Sequence, residues 1–151
     1  MISNVEEVLK STGIAVSGFS GTSMMPMLRQ GKDKVVISTL DRPLKIHDVP
    51  LYKSGDNKYI LHRIIKVKPD GYVIRGDNLY NNEYNVTEKD IIGVLKAFYR
   101  GEKYINCNSR GYKFYVLYVK FSYPLRWLLF KFLKPKLWAL KQKVLSKGRH
   151  K

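Results

Sequence analysis

Along residues 13–101, short runs rich in Val, Ile and Tyr alternate with Gly, Pro, Asp and Asn. The runs fall at 13–19, 34–38, 49–53, 58–68, 71–76 and 90–99, which predicts a mainly β region of strands joined by hairpins. The clearest reversal is Lys68-Pro69-Asp70-Gly71, where Pro and Gly suit a tight turn between two β-branched runs. This puts His62 on the strand entering that hairpin and Asp77 just beyond the strand leaving it. Upstream, residues 2–10 carry Ser3 or Asn4 before Glu6 and Glu7, the pattern of a capped short helix with acids in its first turn. Beyond Gly111, aromatic and aliphatic residues alternate with single Lys or Arg, a texture expected to form amphipathic helices. Pro124 and Pro135 are expected to break or kink them. The predicted division is a core over 1–111 and a basic, aromatic-rich helical tail over 112–151.

Length and charge refine this division. A chain of 151 residues can bury a core as one domain with an appendage. Its single cysteine, Cys107, excludes an internal disulfide framework and is expected on a strand. The net charge of +16 is uneven: residues 96–151 hold 15 Lys and Arg against one acid, and residues 1–95 are near balance at +2. Such a segment could meet nucleic acid, an anionic membrane or an acidic partner, and charge alone does not choose. The interleaving of Trp127, Trp138, Tyr and Phe with Lys and Arg over 114–140 suits a lipid headgroup region and disfavours nucleic acid. Packing of the tail on the domain or on a partner protein is the competing reading. No stretch is apolar enough for a membrane span, and the N-terminal residues, interrupted by Glu6, Glu7 and Lys10, do not form a secretory signal. The expected location is peripheral on a membrane, or cytoplasmic.

Four short segments carry the chemical signal. Residues 21–28 read Gly-Thr-Ser-Met-Met-Pro-Met-Leu and are followed by Gly31, Asp33 and the run 34–38. Residues 59–65 read Tyr-Ile-Leu-His-Arg-Ile-Ile. Residues 76–78 read Gly-Asp-Asn, with Glu83 shortly after, and residues 91–94 read Ile-Ile-Gly-Val. Taken singly, Ser23 reads as a turn serine, His62 as a strand histidine satisfied by a neighbour, and Asp77 as a turn cap. In this shared order, on β-rich segments, they resemble the type I signal peptidases over about residues 13–100.

The resemblance implies a signal-peptidase or repressor-peptidase type of β core and makes Ser23 the nucleophile. Small residues before Ser23 let backbone N–H groups approach a substrate carbonyl, and Pro26 fixes the chain direction after it. One departure is Lys32, which stands between Gly31 and Asp33 where the family has the two adjacent. His62 occupies the position at which most bacterial members carry lysine and the endoplasmic-reticulum and archaeal members carry histidine. An imidazole, with an ordinary pKa near 6.5, can take the serine proton at neutral pH without deep burial, whereas a lysine must first be desolvated. The histidine-type members also imply two acids. Asp77 matches the first, and at the second this chain has Asn82 and Glu83, so either Asp77 or Glu83 is left to orient His62. His47, in the place of a family Gly-Asp-Val turn, and His150, in the tail, read as structural.

The expected activity is therefore that of a serine endopeptidase, cleaving a signal or leader peptide through an acyl-enzyme, with small residues before the cut and with no metal or cofactor. Family members usually carry a membrane helix just before the serine box. Here only 22 residues precede Ser23, so attachment is expected from the C-terminal tail. Two rivals are a non-catalytic basic module for membrane or nucleic acid and a self-cleaving repressor-type peptidase. The latter needs a lysine base and a DNA-binding domain that 22 residues cannot supply.

Overall fold

The computed structural model describes residues 5–56 and 58–147, with side chains through Phe132. The Ser3 and Asn4 cap and His150 lie outside the described residues. Helix α1 (Val5–Thr12) carries Glu6 and Glu7 in its first turn and Lys10 in its last, matching the helix dipole at both ends. Val5 and Leu9, four apart, form its buried face. Their burial is worth about 2 kcal/mol each. Gly13 ends the helix: at φ +74° it donates its N–H back to the Leu9 carbonyl, a left-handed cap that costs glycine nothing.

From Gly13 the chain builds two antiparallel sheets. The larger joins β1 (Ile14–Gly18), β2 (Asp33–Ser38), β8 (Ile91–Arg100), β3 (Pro50–Lys53) and β4 (Tyr59–Leu61) in that spatial order. A further strand, β9 (Lys103–Asn106), continues the β3 side of β8. The smaller sheet is β5 (Arg63–Lys68), β6 (Gly71–Arg75) and β7 (Glu83–Val86). The architecture is mainly β, with a curled antiparallel sheet and a helix at each end of the chain. Leu44, Tyr52, Ile64, Tyr72, Ile74, Val86 and Val94 form one buried cluster. Apart from Leu44, in the loop between β2 and β3, its members come from β3, β5, β6, β7 and β8, so apolar burial between the two sheets holds them together.

The predicted hairpin is present, with Lys68 paired to Gly71 across Pro69 and Asp70. The run 58–68 is not one strand. It breaks at His62, where the chain leaves β4 in the larger sheet and enters β5 in the smaller. Strands β7 and β9 have no counterpart among the predicted runs, because their exposed positions carry polar residues or lone tyrosines. Cys107 lies in the turn after β9 rather than on a strand, though its N–H still bonds the Lys96 carbonyl of β8. Burial raises its thiol pKa to about 11, which keeps it protonated and inert at neutral pH.

Helix α2 (Arg110–Lys147) runs through Pro124 and Pro135 without a break, which corrects the expectation of separate helices. Each proline removes one N–H from the helical ladder, yet the flanking turns carry the helix on. Ser109 caps its start, its hydroxyl accepting the Tyr112 N–H at 3.3 Å. The chain divides into two compact units, 1–114 and 115–151. Tyr112, at the first position of the expected tail, is buried and belongs to the first unit. Along α2, Tyr112, Val116 and Val119 are buried, whereas Phe114, Leu117, Phe121, Leu125, Leu128 and Phe132 are exposed at three- and four-residue steps. The helix thus has two apolar stripes rather than one.

Candidate active site

The serine box folds as a turn held from both sides. Met25 donates to the Thr22 carbonyl at 3.1 Å and Leu28 to that of Met24 at 3.0 Å, which coils residues 22–28 tightly. Met24, Met27 and Leu28 point inward and are buried, leaving Ser23 half-buried at the surface of the coil. The Met25-Pro26 peptide is cis. Arg100 donates to the Met27 carbonyl at 2.7 Å, and the Gln30 side chain accepts the Gly21 N–H at 2.9 Å. Lys32 is an exposed residue of the following turn, where Asp33 accepts a paired bond from Arg29. Burial alone would raise the Asp33 pKa, but the bonds from Arg29 outweigh it and hold the carboxyl below its usual range.

The second side of the site comes from the break between β4 and β5. His62 is 5% exposed there, and its Nδ1 lies 2.7 Å from Oε1 of Glu83 on β7. A carboxylate only accepts, so Nδ1 carries the proton and Nε2 is left as the basic nitrogen. The edge of the ring bearing Nε2 faces Gly76. A Cβ built there would sit 3.1 Å from Nε2 and 2.7 Å from the Ser23 carbonyl, so the absent side chain lets the Gly-Asp-Asn turn lie against both catalytic candidates. Asn78 completes the contact, its N–H donating to the Ser23 carbonyl at 2.7 Å and its side chain to that of Thr22 at 3.2 Å.

Ser23 and His62 line one cavity of about 260 Å³ with Met24, Leu28, Leu51 and Leu79. No hydrogen bond joins the Ser23 hydroxyl to His62 among the described residues. Such bonds are often long before substrate closes the site. The cavity is also lined by Phe19, Ser20 and Gly21, which follow β1, and by β4. β1 and β4 stand at opposite ends of the strand order, so the curl of the sheet brings β4 and the residues after β1 to the same opening.

Of the two candidate acids, Glu83 is the one hydrogen-bonded to His62. Asp77 is buried, and each of its oxygens accepts from Arg63, with Nε–Oδ1 and Nη2–Oδ2 both at 2.7 Å. The turn lies against His62, but the Asp77 carboxylate accepts from Arg63, the residue after it, which leaves Glu83 as the acid bonded to His62. Burial disfavours the Arg63 charge, but Asp77 more than offsets this and holds its pKa above the usual arginine value. Arg63 also donates to the His47 carbonyl at 3.0 Å, to Tyr112 Oη at 2.9 Å and to Met27 Sδ at 3.3 Å. One buried cation thus ties together the serine coil, the Asp77 turn and the start of α2. His47, at φ +78°, places its carbonyl on Arg63.

One residue at the site left no trace in the motifs. Tyr52 of β3 is 1% exposed and donates its hydroxyl to Glu83 Oε2 at 2.5 Å. Burial first, and then the Glu83 bond, push its pKa far above the tyrosine range, so it remains a neutral donor. Among the described residues, no group of three or more His, Cys, Asp or Glu is placed to hold a metal ion. Compared with known proteins, the chain matches no family model and no curated protein.

Proposed function

We propose that this chain is a serine endopeptidase of the signal-peptidase kind, with Ser23 as nucleophile and His62 as general base. The observation that carries the reading is the His62–Glu83 pair at 2.7 Å on the wall of the cavity that Ser23 lines. Ser23 Oγ attacks the scissile carbonyl while His62 Nε2 takes its proton. Glu83 stabilises the imidazolium that results, and backbone N–H groups of the serine coil hold the oxyanion. His62 then protonates the leaving amine, and a water deprotonated by His62 releases the acyl group from Ser23. The substrate is an extended signal or leader peptide with small residues before the cut, lying as a strand between the edges of β1 and β4.

Attachment to an anionic membrane surface by α2 belongs to the same reading. The exposed stripe from Phe114 to Phe132 supplies apolar contact, and the excess of Lys and Arg beyond residue 95 supplies attraction to lipid headgroups. Among the described residues no helix is long and apolar enough to cross a membrane, so α2 would lie on the surface. The test of the peptidase assignment is cleavage of a randomised peptide library, with products identified by mass spectrometry. The parent is expected to cut after small residues, and Ser23→Ala to give no product while keeping the same circular dichroism. Cleavage by Ser23→Ala would remove the assignment.

A further inference from the structure

We propose that Tyr52 is a positioning residue that clamps Glu83 against His62, making the acid of the site a two-residue unit. The inference rests on the Ser23–His62 reading for its kinetic consequence but not for its geometry. Glu83 stands on β7, at the edge of the smaller sheet, and its side chain is 38% exposed. Three side-chain torsions and access to water give such a carboxylate many alternatives to facing His62. Tyr52 has almost none. Its ring is fixed in the cluster between the sheets, on a strand bonded to β4 and β8, and only its hydroxyl emerges at the site.

That hydroxyl donates its single proton to Glu83 Oε2, and the other oxygen, Oε1, is left to accept from His62 Nδ1. Tyr52 Oη also lies 3.2 Å from Nδ1, near enough to accept a weaker share of the same N–H. The three groups close a ring of hydrogen bonds in which the carboxylate uses both oxygens. Rotation of Glu83 away from His62 would take from the buried Tyr52 hydroxyl the carboxylate it donates to. Tyr52 therefore holds the imidazole in the Nδ1–H tautomer by holding its partner, without touching substrate.

Tyr52→Phe preserves the buried ring and removes only the hydroxyl. The expected kinetic result on a cleaved peptide is a fall in kcat of about tenfold with KM unchanged, and no further loss when Tyr52→Phe is added to Glu83→Gln. Equal losses in the two backgrounds, or unchanged kcat, would overturn the proposal. A second measurement needs no turnover. Nitrogen-15 NMR of the His62 ring is expected to show protonated Nδ1 in the parent and a mixture of tautomers in Tyr52→Phe. An unchanged tautomer would overturn the clamp even if the parent cleaves nothing, a result that would defeat the peptidase reading separately.

Discussion

Gly76 gives the sharpest prediction at the scale of single residues. Its backbone is not in the left-handed region, so alanine there meets no torsional strain, only the Ser23 carbonyl at 2.7 Å and the imidazole edge at 3.1 Å. Something must move, and a displacement approaching 1 Å at a catalytic group costs about a hundredfold in rate. Gly76→Ala is therefore expected to lose about two orders of magnitude in peptide cleavage, whereas Gly55→Ala, with open space around it, is expected to change nothing. Steady-state rates of both variants check this. Ser23 and His62, which line one cavity, were readable as candidates because each sits within a local pattern of neighbours. The choice between Asp77 and Glu83 was not, since it depends on which carboxylate the smaller sheet turns toward His62. Tyr52 was less legible still, because a tyrosine on a strand reads as core until the destination of its hydroxyl is known.

Among the elements, the break at His62 matters most. Residues 58–68 have the apolar pattern of one continuous strand, and only the pairing of β4 with β3 and of β5 with β6 reveals the change of sheet. That change points consecutive residues to different tasks: His62 meets Glu83 in the site, and Arg63 meets Asp77 in the interior. The two acids should accordingly differ in what they support. Asp77→Ala leaves a buried guanidinium without its carboxylate and is expected to destabilise the fold by about 3–5 kcal/mol. Glu83→Gln removes a half-exposed charge and is expected to cost about 1 kcal/mol or less in stability while lowering activity. Denaturant melts of both, set against their cleavage rates, separate the roles. Had Asp77→Ala kept full stability, the buried pair would not be what holds the site together. The helices show the limits of local rules in another way. The two prolines were expected to break or kink the tail, and a 38-residue helix continues through both, its other turns offsetting the lost bonds.

At the scale of the whole molecule, the sequence marked a change near residue 111 through charge and aromatic content, and the two compact units meet between Phe114 and Tyr115. Tyr112, an ordinary aromatic of the tail by composition, falls in the first unit and is a partner of Arg63. What composition did not reveal is that α2 has an exposed apolar stripe distinct from its buried one. Phe121→Glu combined with Leu125→Glu interrupts that stripe at its middle without touching Val116 or Val119. This double variant is expected to lose cosedimentation with anionic vesicles, and the parent to lose it at high salt, since each basic residue near the surface contributes about 1 kcal/mol of screened attraction. Full vesicle binding by the double variant, or binding to nucleic acid in preference to lipid, would contradict the assignment of this face.

The central claim is that Ser23 and His62 act as one catalytic unit, and the measurement that tests it most directly is a rate comparison. A peptide cleaved by the parent should be presented to Ser23→Ala, His62→Ala and the double variant under the same conditions. The account predicts losses of several orders of magnitude in each single variant, with no further loss in the double, because residues that act on one proton transfer are not additive. It also predicts that parent activity rises as pH increases through the range in which histidines lose their proton, since only neutral imidazole accepts from serine. Near-normal cleavage by His62→Ala, or parent activity that appears only at strongly alkaline pH, would contradict it.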